Sequence, residues 1–409
     1  MSIERSATAC SSAPEDHAPP AETMPAWPTY DADERAAVEA VLASGKVNYW
    51  TGEQGRQFES EYARYLGVGH AVALTNGTVA LELALRMWGI GAGDEVITTP
   101  RTFIASASCA ILLGAQVVFA DVDPDSGNIT AESIARAITP RTRAIIPVHL
   151  AGWPCQMDAI MALARPRGIK VLEDCAQAHG ARVQGRPVGS FGDAAAFSFC
   201  QDKIMTTGGE GGLLATDDGD LWQQAWSFKD HGKSWEAVYE RRHAPGFRWL
   251  HEHFGTNWRL TELQAAIGRI QLRKLEKWVD MRRRNAAVLA QRLGGLAALR
   301  VPVVAPDLHH AYYKFYAHVR PERLKAGWSR DRLLAAILER GVPCFSGSCS
   351  EIYREAAFEG NPAVPKQPLP VAVELGETSL MWQVHPTLEE RHVHRVCDVV
   401  EDVVSRATA

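Results

Sequence analysis

The feature that most constrains the fold is a regular alternation, beginning near residue 70, of short apolar runs with longer helical stretches. The runs are rich in β-branched residues and carry few polar side chains, which predicts strands buried on both faces. They are HAVAL (70–74), EVIT (95–98), QVVFADV (116–122), RAIIPV (143–148) and IKVLED (169–174). Helices are predicted between them at about 78–89, 103–113, 130–137 and 156–167. Strands and helices that alternate in this way indicate an α/β fold with a mostly parallel sheet covered by helices.

A further strand pair and a change of rhythm indicate where the first domain ends. The runs AAAFSF (194–199) and GLLAT (212–216) predict two more strands around a polar, glycine-rich turn. Residues 261–293 predict one long helix, after which the sequence mixes strand and helix patterns. We therefore predict a large α/β domain over residues 25–270 and a smaller α+β domain over residues 271–409.

The composition argues against several classes of partner. The chain of 409 residues has a formal net charge of −5, which favours neither nucleic acid nor an acidic membrane surface. No apolar run is long enough to span a bilayer, so we expect a cytoplasmic protein. The first 24 residues, rich in Ala, Pro, Ser and acidic side chains, predict a disordered tail and not a signal peptide. The eight cysteines contain no C-x-x-C pair, and we predict neither a disulfide framework nor a metal site.

The first candidate for site chemistry follows the strand HAVAL, where Thr75 and Asn76 lead into a strongly amphipathic helix. In an open parallel sheet, ligands bind beyond the carboxyl ends of the strands, and the N–H groups of a helix N-terminus attract anions. Gly77, Thr78 and Val79 are therefore candidates for binding a phosphate group. An ordinary helix cap formed by Thr75 or Asn76 explains the same residues, and both interpretations stay open at this point.

The second candidate is Asp174, which closes the apolar run IKVLED. A carboxylate in such poor solvation needs a cationic partner, and a protonated pyridine nitrogen would serve. Gln177 follows three residues later and would donate a hydrogen bond to a ring hydroxyl. The alternative is that Asp174 only caps the next helix.

The third candidate is Lys203, which lies between two apolar strands and close to the glycine-rich segment TTGGEGG (206–212). Desolvation favours the neutral amine of such a lysine and makes it a nucleophile suited to Schiff-base chemistry. A surface lysine in a hairpin is the alternative. A cofactor with one phosphate, one basic ring nitrogen and one aldehyde would use all three candidates.

The sequence resembles the sugar aminotransferases of the DegT/DnrJ/EryC1/StrS family over about residues 30–400. The resemblance rests on the segments NGTVALELAL (76–85), GDEVITTPRTFIAS (93–106), PVHLAG (147–152), EDCAQAHGA (173–181), FGDAAAFSF (191–199), the Lys203 loop and GTNWRLTELQAAIG (255–268). It implies a pyridoxal-phosphate transferase of fold-type I, with a seven-stranded sheet in the large domain and a smaller α+β C-terminal domain.

The resemblance also implies a role for each matching residue that would hold the cofactor ring. Lys203 matches the Schiff-base lysine, and Asp174 matches the acid that pairs with the pyridine nitrogen. Gln177 matches the residue beside the ring hydroxyl. Phe103 matches the aromatic side chain that stacks on the ring.

Other matches concern the phosphate group of pyridoxal phosphate and a second subunit. Thr78 and Val79 match backbone contacts to the phosphate, and Ser198 matches a side-chain contact to it. Asn257 matches an asparagine that reaches the phosphate of the neighbouring subunit, which implies a homodimer with shared active sites. Weaker candidates for substrate contact are His179, His231 and Arg259.

Two segments depart from the family pattern. Gly208 and Gly209 both precede Glu210, where one glycine is usual, so the shape of this loop is in question. Residues 343–357 fit poorly to the His-rich substrate loop of many relatives, so the acceptor of the amino group is expected to differ from the commonest ones.

The function implied is a ping-pong transamination through a Schiff base on Lys203. Glutamate or glutamine would be the small-molecule donor and a nucleotide-linked keto-sugar the acceptor, as in amino-sugar and polysaccharide biosynthesis. The alternatives are a cyclitol aminotransferase, a deoxy-sugar dehydratase and a regulator that binds pyridoxal phosphate without turnover. The dehydratase branch has histidine in place of the lysine that stands here at position 203. The complete set of Lys203, Asp174 and Gln177 argues against the regulator.

Overall fold

The computed structural model describes residues 24–242 and 248–409. Within these residues the strands are β1 (His70–Leu74), β2 (Glu95–Thr98), β3 (Gln116–Phe119), β4 (Thr142–Ile146), β5 (Lys170–Asp174), β6 (Arg182–Val183), β7 (Arg186–Pro187), β8 (Ala194–Ser198), β9 (Gly212–Thr216), β10 (Leu299–Arg300), β11 (Leu308–His309), β12 (Phe315–Val319) and β13 (Ser379–Trp382). The helices are α1 (Ala32–Ser44), α2 (Gln54–Leu66), α3 (Gly77–Met87), α4 (Ala105–Ile111), α5 (Ala131–Ala137), α6 (Met157–Ala164), α7 (Gly219–Lys229), α8 (Trp235–Tyr239), α9 (Glu262–Leu293), α10 (Arg330–Glu339), α11 (Pro370–Thr378) and α12 (Glu390–Ala407).

The predicted α/β class with a mostly parallel seven-stranded sheet is confirmed. The strand order is β1-β9-β8-β5-β4-β2-β3, and only β9 runs antiparallel to its neighbours. Strands β8 and β5 pair in parallel, with Asp174 opposite Ala196. The carboxyl ends of β1, β5 and β8 therefore meet at the same edge of the sheet, which is the edge where open α/β sheets bind ligands.

Both faces of this sheet are buried. In β1, Ala71 and Ala73 enter one hydrophobic cluster while Val72 and Leu74 enter another, as alternate side chains of a strand must. Helices α2, α6 and α9 cover the first face, and α3, α4 and α7 cover the second. This double cover explains why the strands read as continuous apolar runs in the sequence.

The C-terminal part has a core of its own. Strands β10, β12 and β13 form a small antiparallel sheet, covered by α10, α12 and the end of α9. Helix α9 begins in the large core with Ala265 and ends in the small one with Leu289 and Leu293. The predicted domain boundary at residue 270 falls inside this helix, and the division there stays a prediction.

Two predicted strands extend too far. The strand predicted over 116–122 ends at Phe119, and Asp121 turns away to accept backbone N–H groups at the start of α11. The strand predicted to reach residue 148 ends at Ile146, where Pro147 interrupts it, and Val148 then pairs with Asp174 only as an isolated bridge.

Two segments lie partly outside the described residues. The segment 232–250 contains the short helix α8, and its residues 243–247 are not among the residues described. The predicted disordered tail falls almost entirely outside them as well, since the described chain begins at Met24. No helix between Met24 and Ala409, residues 243–247 apart, is both long and apolar enough to cross a membrane.

Candidate active site

Eight of the nine residues predicted to bind the cofactor line one cavity of about 660 Å³ at the carboxyl edge of the sheet. They are Gly77, Thr78, Val79, Phe103, Asp174, Gln177, Ser198 and Lys203. A second cavity, of about 640 Å³, shares Phe103, Gln177 and Lys203 with the first and has its far wall in the C-terminal part of the chain. We call the first the inner cavity and the second the outer cavity. Lys203 lies where they adjoin.

The start of helix α3 forms one end of the inner cavity. Asn76 caps the helix by accepting the Val79 N–H at 3.0 Å, so the predicted cap is present. The backbone N–H groups of Gly77 and Thr78 have no acceptor among the described residues, so both are free to donate to an anion at this helix N-terminus. The helix cap therefore leaves the predicted phosphate site open, although the N–H of Val79 is already used by Asn76.

Two glycines let the backbone around this helix start pack closely. A Cβ on Gly77 would lie 2.7 Å from the Ser198 Cβ, and a Cβ on Gly212 would lie 2.1 Å from the Asn76 carbonyl oxygen. Only glycine brings α3 this close to strands β8 and β9. The close approach places the Ser198 side chain next to the helix N-terminus.

Asp174 lies at the end of β5 with its carboxylate almost fully buried. Its Oδ2 accepts a hydrogen bond from the Ser106 hydroxyl at 2.7 Å, and its Oδ1 accepts one from the Ala176 N–H at 3.1 Å. Burial raises the pKa of Asp174, although these two hydrogen bonds oppose the shift. Its hydrogen-bond partners are both neutral, so a protonated ring nitrogen in the cavity would supply the missing cation.

Gln177 is held by the chain segment that follows β4. Its Oε1 accepts a hydrogen bond from the Ala151 N–H at 2.7 Å. Because the carbonyl oxygen is used in this way, the Nε2 group is the end of the amide that remains to donate. The predicted donation to a ring hydroxyl is consistent with this orientation.

Lys203 differs from the dry lysine that the sequence predicted. Its side chain is 17% exposed, and its Nζ lies 3.3 Å from Asp202 Oδ1 and 3.5 Å from the Tyr313 hydroxyl. The Tyr313 hydroxyl in turn donates to Asp202 Oδ2. Burial by itself would raise the pKa of Asp202, but the charge of Lys203 and the hydroxyl of Tyr313 lower it. The amine is thus oriented by an ion pair and not isolated by burial.

The extra glycine after Lys203 is absorbed by the loop. Gly208 and Gly209 have φ angles of 92° and 127°, which favour glycine over other residues. The Gly209 N–H donates to the hydroxyl of Thr206, and the hydroxyl of Thr207 donates to the Glu210 carbonyl. The loop therefore closes as a hydrogen-bonded turn despite its additional residue.

His179 does not lie in the wall of either cavity. It is fully buried, and its two ring nitrogens bond to the Tyr62 hydroxyl at 2.7 Å and to the Ser198 carbonyl at 2.8 Å. Burial lowers the pKa of His179 to about 4, so the ring is neutral at neutral pH. The prediction that His179 contacts substrate is corrected: it supports Ser198 from beneath the sheet edge.

Asn257, His231 and Arg259 line neither cavity of their own chain. Asn257 and His231 are exposed, and Arg259 forms an ion pair with Asp230 at 2.7 Å. On the same segment, Phe254 is fully exposed to solvent. The predicted roles of these three residues toward substrate or a second subunit stay predictions.

One group of metal-ligand residue types beside the cavity has a structural role. His149, Glu173 and Cys175 lie close enough to share an ion. However, Glu173 already accepts the backbone N–H groups of Gly189 and Phe191 and bonds to His149 Nε2 at 3.0 Å. These bonds hold the chain that follows β5 against the sheet, directly beside Asp174.

The sequence prediction missed four residues that shape the site. Ser106 bonds to Asp174, Asp202 and Tyr313 hold the Lys203 amine, and the indole N–H of Trp27 donates to the Lys203 carbonyl at 2.8 Å. Ser106 could have been predicted from the sequence, because it lies four residues after Thr102, in the first turn of the helix that follows β2. Trp27 and Tyr313 are 176 and 110 residues from Lys203, and no local spacing connects them.

Comparisons with known proteins cover almost the whole chain. The family model described as the DegT/DnrJ/EryC1/StrS aminotransferase family matches residues 28–401. The X-ray structure of the aminotransferase from Psychrobacter cryohalolentis is 52% identical and superposes with a TM-score of 0.92. That match covers 94% of this chain and 99% of that one.

Two curated relatives are named for different kinds of substrate or product. The UDP-N-acetyl-3-dehydro-alpha-D-glucosamine 3-aminotransferase of Acidithiobacillus ferrooxidans is 38% identical, over 88% of this chain and 93% of its own. The 3-amino-5-hydroxybenzoate synthase of Amycolatopsis mediterranei is 35% identical, over 94% of this chain and 98% of its own. The chain is thus similar along nearly its full length to proteins named for amino-sugar and for aminobenzoate chemistry.

Proposed function

Because this chain belongs to the DegT/DnrJ/EryC1/StrS aminotransferase family, we propose that it uses pyridoxal phosphate to transfer an amino group from glutamate or glutamine to a keto-sugar carried on a nucleotide. The observation that carries the proposal is the convergence on one cavity of an anion site, a buried carboxylate and a lysine amine. The sugar as acceptor is supported by the similarity to the UDP-sugar 3-aminotransferase.

The residues of the inner cavity fit this cofactor group by group. The N–H groups of Gly77 and Thr78 and the side chain of Ser198 would bind the phosphate. Asp174, which has only neutral hydrogen-bond partners, would pair with the protonated ring nitrogen. Phe103 would stack on the ring from the open side. When bound, pyridoxal phosphate supplies a ring that withdraws electrons from the carbon attached to the substrate nitrogen.

The side chains around Lys203 determine how a proton would move. The Nζ of Lys203 would be the group that holds the cofactor through its aldehyde. When an amino donor occupies that position instead, the Lys203 amine would be free to act as the base for the proton on the donor Cα. Asp202 and Tyr313 hold this amine at the junction of the two cavities. The keto-sugar would enter by the outer cavity and receive the amino group in the reverse sequence.

A homodimer is part of this proposal. Asn257 is exposed and lines neither cavity of its own chain, while Trp249 and Phe254 on the same segment expose large apolar side chains. Such a segment is typical of one that packs against a partner. We propose that Asn257 reaches the phosphate site of a second subunit.

Subunit mixing tests the shared site. Lys203→Ala and Asn257→Ala proteins are each expected to be inactive, and mixing them creates heterodimers with one intact site. Random exchange in equal amounts would restore about a quarter of wild-type turnover, since half of the dimers are mixed and one site in each is complete. No recovery after demonstrated exchange would contradict the shared site.

A turnover screen tests the function itself. The protein loaded with pyridoxal phosphate is first treated with glutamate or glutamine. A panel of keto-sugar nucleotides and keto-cyclitols is then added, and products are read by mass. We expect an aminated sugar nucleotide with wild-type protein and none with Lys203→Ala.

Two other outcomes would favour the alternative functions. Product from a keto-cyclitol alone would favour a cyclitol aminotransferase, which would aminate a carbocyclic ring. The similarity to 3-amino-5-hydroxybenzoate synthase supports this alternative. Bound cofactor with no turnover of any donor would favour the regulator.

A further inference from the structure

The outer cavity contains a second lysine that the proposed chemistry does not use. Lys314 lies at the boundary of β12 and lines this cavity together with Lys203 and Tyr313. Among the described residues that line it, Lys203 and Lys314 are the only ones with a cationic side chain. Once Lys203 is engaged with the cofactor, Lys314 is the cation that this chain presents to a substrate.

No charged side chain in the described part of the protein contacts the Lys314 amine. Within residues 24–242 and 248–409, its Nζ makes no hydrogen bond and no ion pair, and its closest described interaction is with the Tyr313 ring, 4.6 Å from the centroid. The Lys203 Nζ lies 5.1 Å from the centroid of the same ring. The two amines are therefore neighbours around one aromatic side chain.

The charged side chains around Lys314 leave an excess of positive charge. Among the described residues, Asp202 attracts it, whereas Lys203 and the fully buried Arg282 both repel it, and Glu355 is the other acid in the wall of the outer cavity. Burial, Arg282 and Lys203 together lower the pKa of Lys314 to about 8, against the attraction of Asp202. Among the residues that the structure describes, the guanidinium of Arg282 donates only to the carbonyl oxygens of Tyr312 and Tyr313. An anion bound beside Lys314 would relieve this excess of positive charge.

We propose that Lys314 binds a carboxylate of the amino donor and so fixes the donor Cα beside Lys203. The inference rests on the proposed aminotransfer, because an amino acid must enter the cavity that also accepts the ketone. Every amino acid donor carries a carboxylate, and a fixed cation near the base is what orients the Cα proton toward it. The outer cavity offers no arginine among its described residues for this purpose.

Glutarate, a dicarboxylate without an amine, tests the proposal independently of turnover. Its binding is measured by calorimetry on the protein loaded with pyridoxal phosphate and on the cofactor-free protein. Lys314→Met keeps the length of the side chain and removes its charge, and we expect roughly 10- to 100-fold weaker binding of glutarate. Lys314→Arg keeps the charge and is expected to bind within about threefold of wild type. Lys277→Met, at an exposed lysine of α9, is the matched control.

Separate KM values for the amino donor and for the keto-sugar test whether the carboxylate that Lys314 binds belongs to the donor. With Lys314→Met, the KM for glutamate is expected to rise by the same factor as the glutarate constant, while the KM for the keto-sugar stays unchanged. A rise for the keto-sugar alone would place the carboxylate on the acceptor and overturn the donor assignment. Equal glutarate binding by wild type and Lys314→Met, or none by wild type, would overturn the site. If glutarate binding falls as expected but no ketone is ever aminated, the proposed function fails and the carboxylate site stands.

Discussion

The Ser106 hydroxyl donates a 2.7 Å hydrogen bond to Asp174 Oδ2 from helix α4, across the sheet edge from the strand that ends in Asp174. Ser106 also bonds to the Thr102 hydroxyl, one residue before Phe103. A single hydroxyl therefore connects the carboxylate proposed to pair with the cofactor ring to the segment proposed to cover that ring. The charge of Asp174 and the position of Phe103 therefore both depend on Ser106, in the first turn of α4.

Ser106→Ala is expected to weaken cofactor binding. The substitution removes one of two hydrogen bonds that favour the charged carboxylate of Asp174, so burial raises its pKa further. A hydrogen bond to a charged group contributes about 1.5–3 kcal/mol, which corresponds to at least a tenfold higher Kd for pyridoxal phosphate. Titration of cofactor-free protein measures it. Ser108→Ala on the same helix is the control, and equal affinities of both variants would contradict the role of Ser106.

Asp174→Asn is expected to have opposite effects on the stability of the cofactor-free and cofactor-loaded protein. Burial raises the pKa of Asp174 above its ordinary value of 3.8. Its contribution to stability is therefore complete below pH 3.8 and is lost as pH rises through the raised pKa of the folded protein. At neutral pH the cofactor-free variant should melt higher than wild type, and the advantage should vanish on acidification.

With pyridoxal phosphate present, the same Asp174→Asn variant should melt lower than wild type. The buried carboxylate then has its cation, and the amide cannot replace that charge pair. Thermal unfolding with and without cofactor gives both values. A variant that is destabilised in both states would show that Asp174 has a purely structural role.

His179→Gln should reduce the acid sensitivity of the fold. Burial lowers the pKa of His179 to about 4 in the folded protein, against 6.5 for an exposed histidine. Its contribution to stability is complete above pH 6.5 and is lost as pH falls toward 4. In this window the wild type should lose about 1.4 kcal/mol per pH unit more than the variant. Chemical unfolding at several pH values measures the slope, and parallel curves would exclude His179 as the cause.

Trp27→Phe should loosen the loop that carries Lys203. The indole N–H donates to the Lys203 carbonyl, and phenylalanine keeps the aromatic packing against Trp278 without that hydrogen bond. We expect about 0.5–1.5 kcal/mol of lost stability and faster cofactor loss, measured by unfolding and by dilution of loaded protein. Trp278→Phe retains the Trp27 donor and is the comparison. Faster cofactor loss in Trp278→Phe than in Trp27→Phe would contradict the assignment.

The sequence was sufficient for the fold class because its strands are buried on both faces. Each strand then appears as an apolar run, and the carboxyl ends of those runs indicated Asp174 and the Gly77 helix start without further information. The ends of strands were less predictable. Asp121 leaves its strand to bond the start of α11, a helix that begins 249 residues later in the chain.

The side chains around Lys203 illustrate what sequence could not provide. The dry environment predicted for this lysine assumed that its apolar neighbours in sequence would surround it. Instead Tyr313 and Lys314 from the C-terminal part place a hydroxyl and a second cation in the same space. His179, which lies within a matched motif, looked accessible because spacing does not show on which side of the sheet edge a side chain is buried.

The proposed aminotransfer depends most directly on a covalent bond between Lys203 and pyridoxal phosphate. Reduction of the loaded protein with borohydride, followed by proteolysis and mass measurement, identifies the lysine that carries the cofactor. We predict the phosphopyridoxyl group on the peptide that contains Lys203 and its absence in Lys203→Ala. A group on Lys314 or on any other lysine, with the Lys203 peptide unmodified, would contradict it.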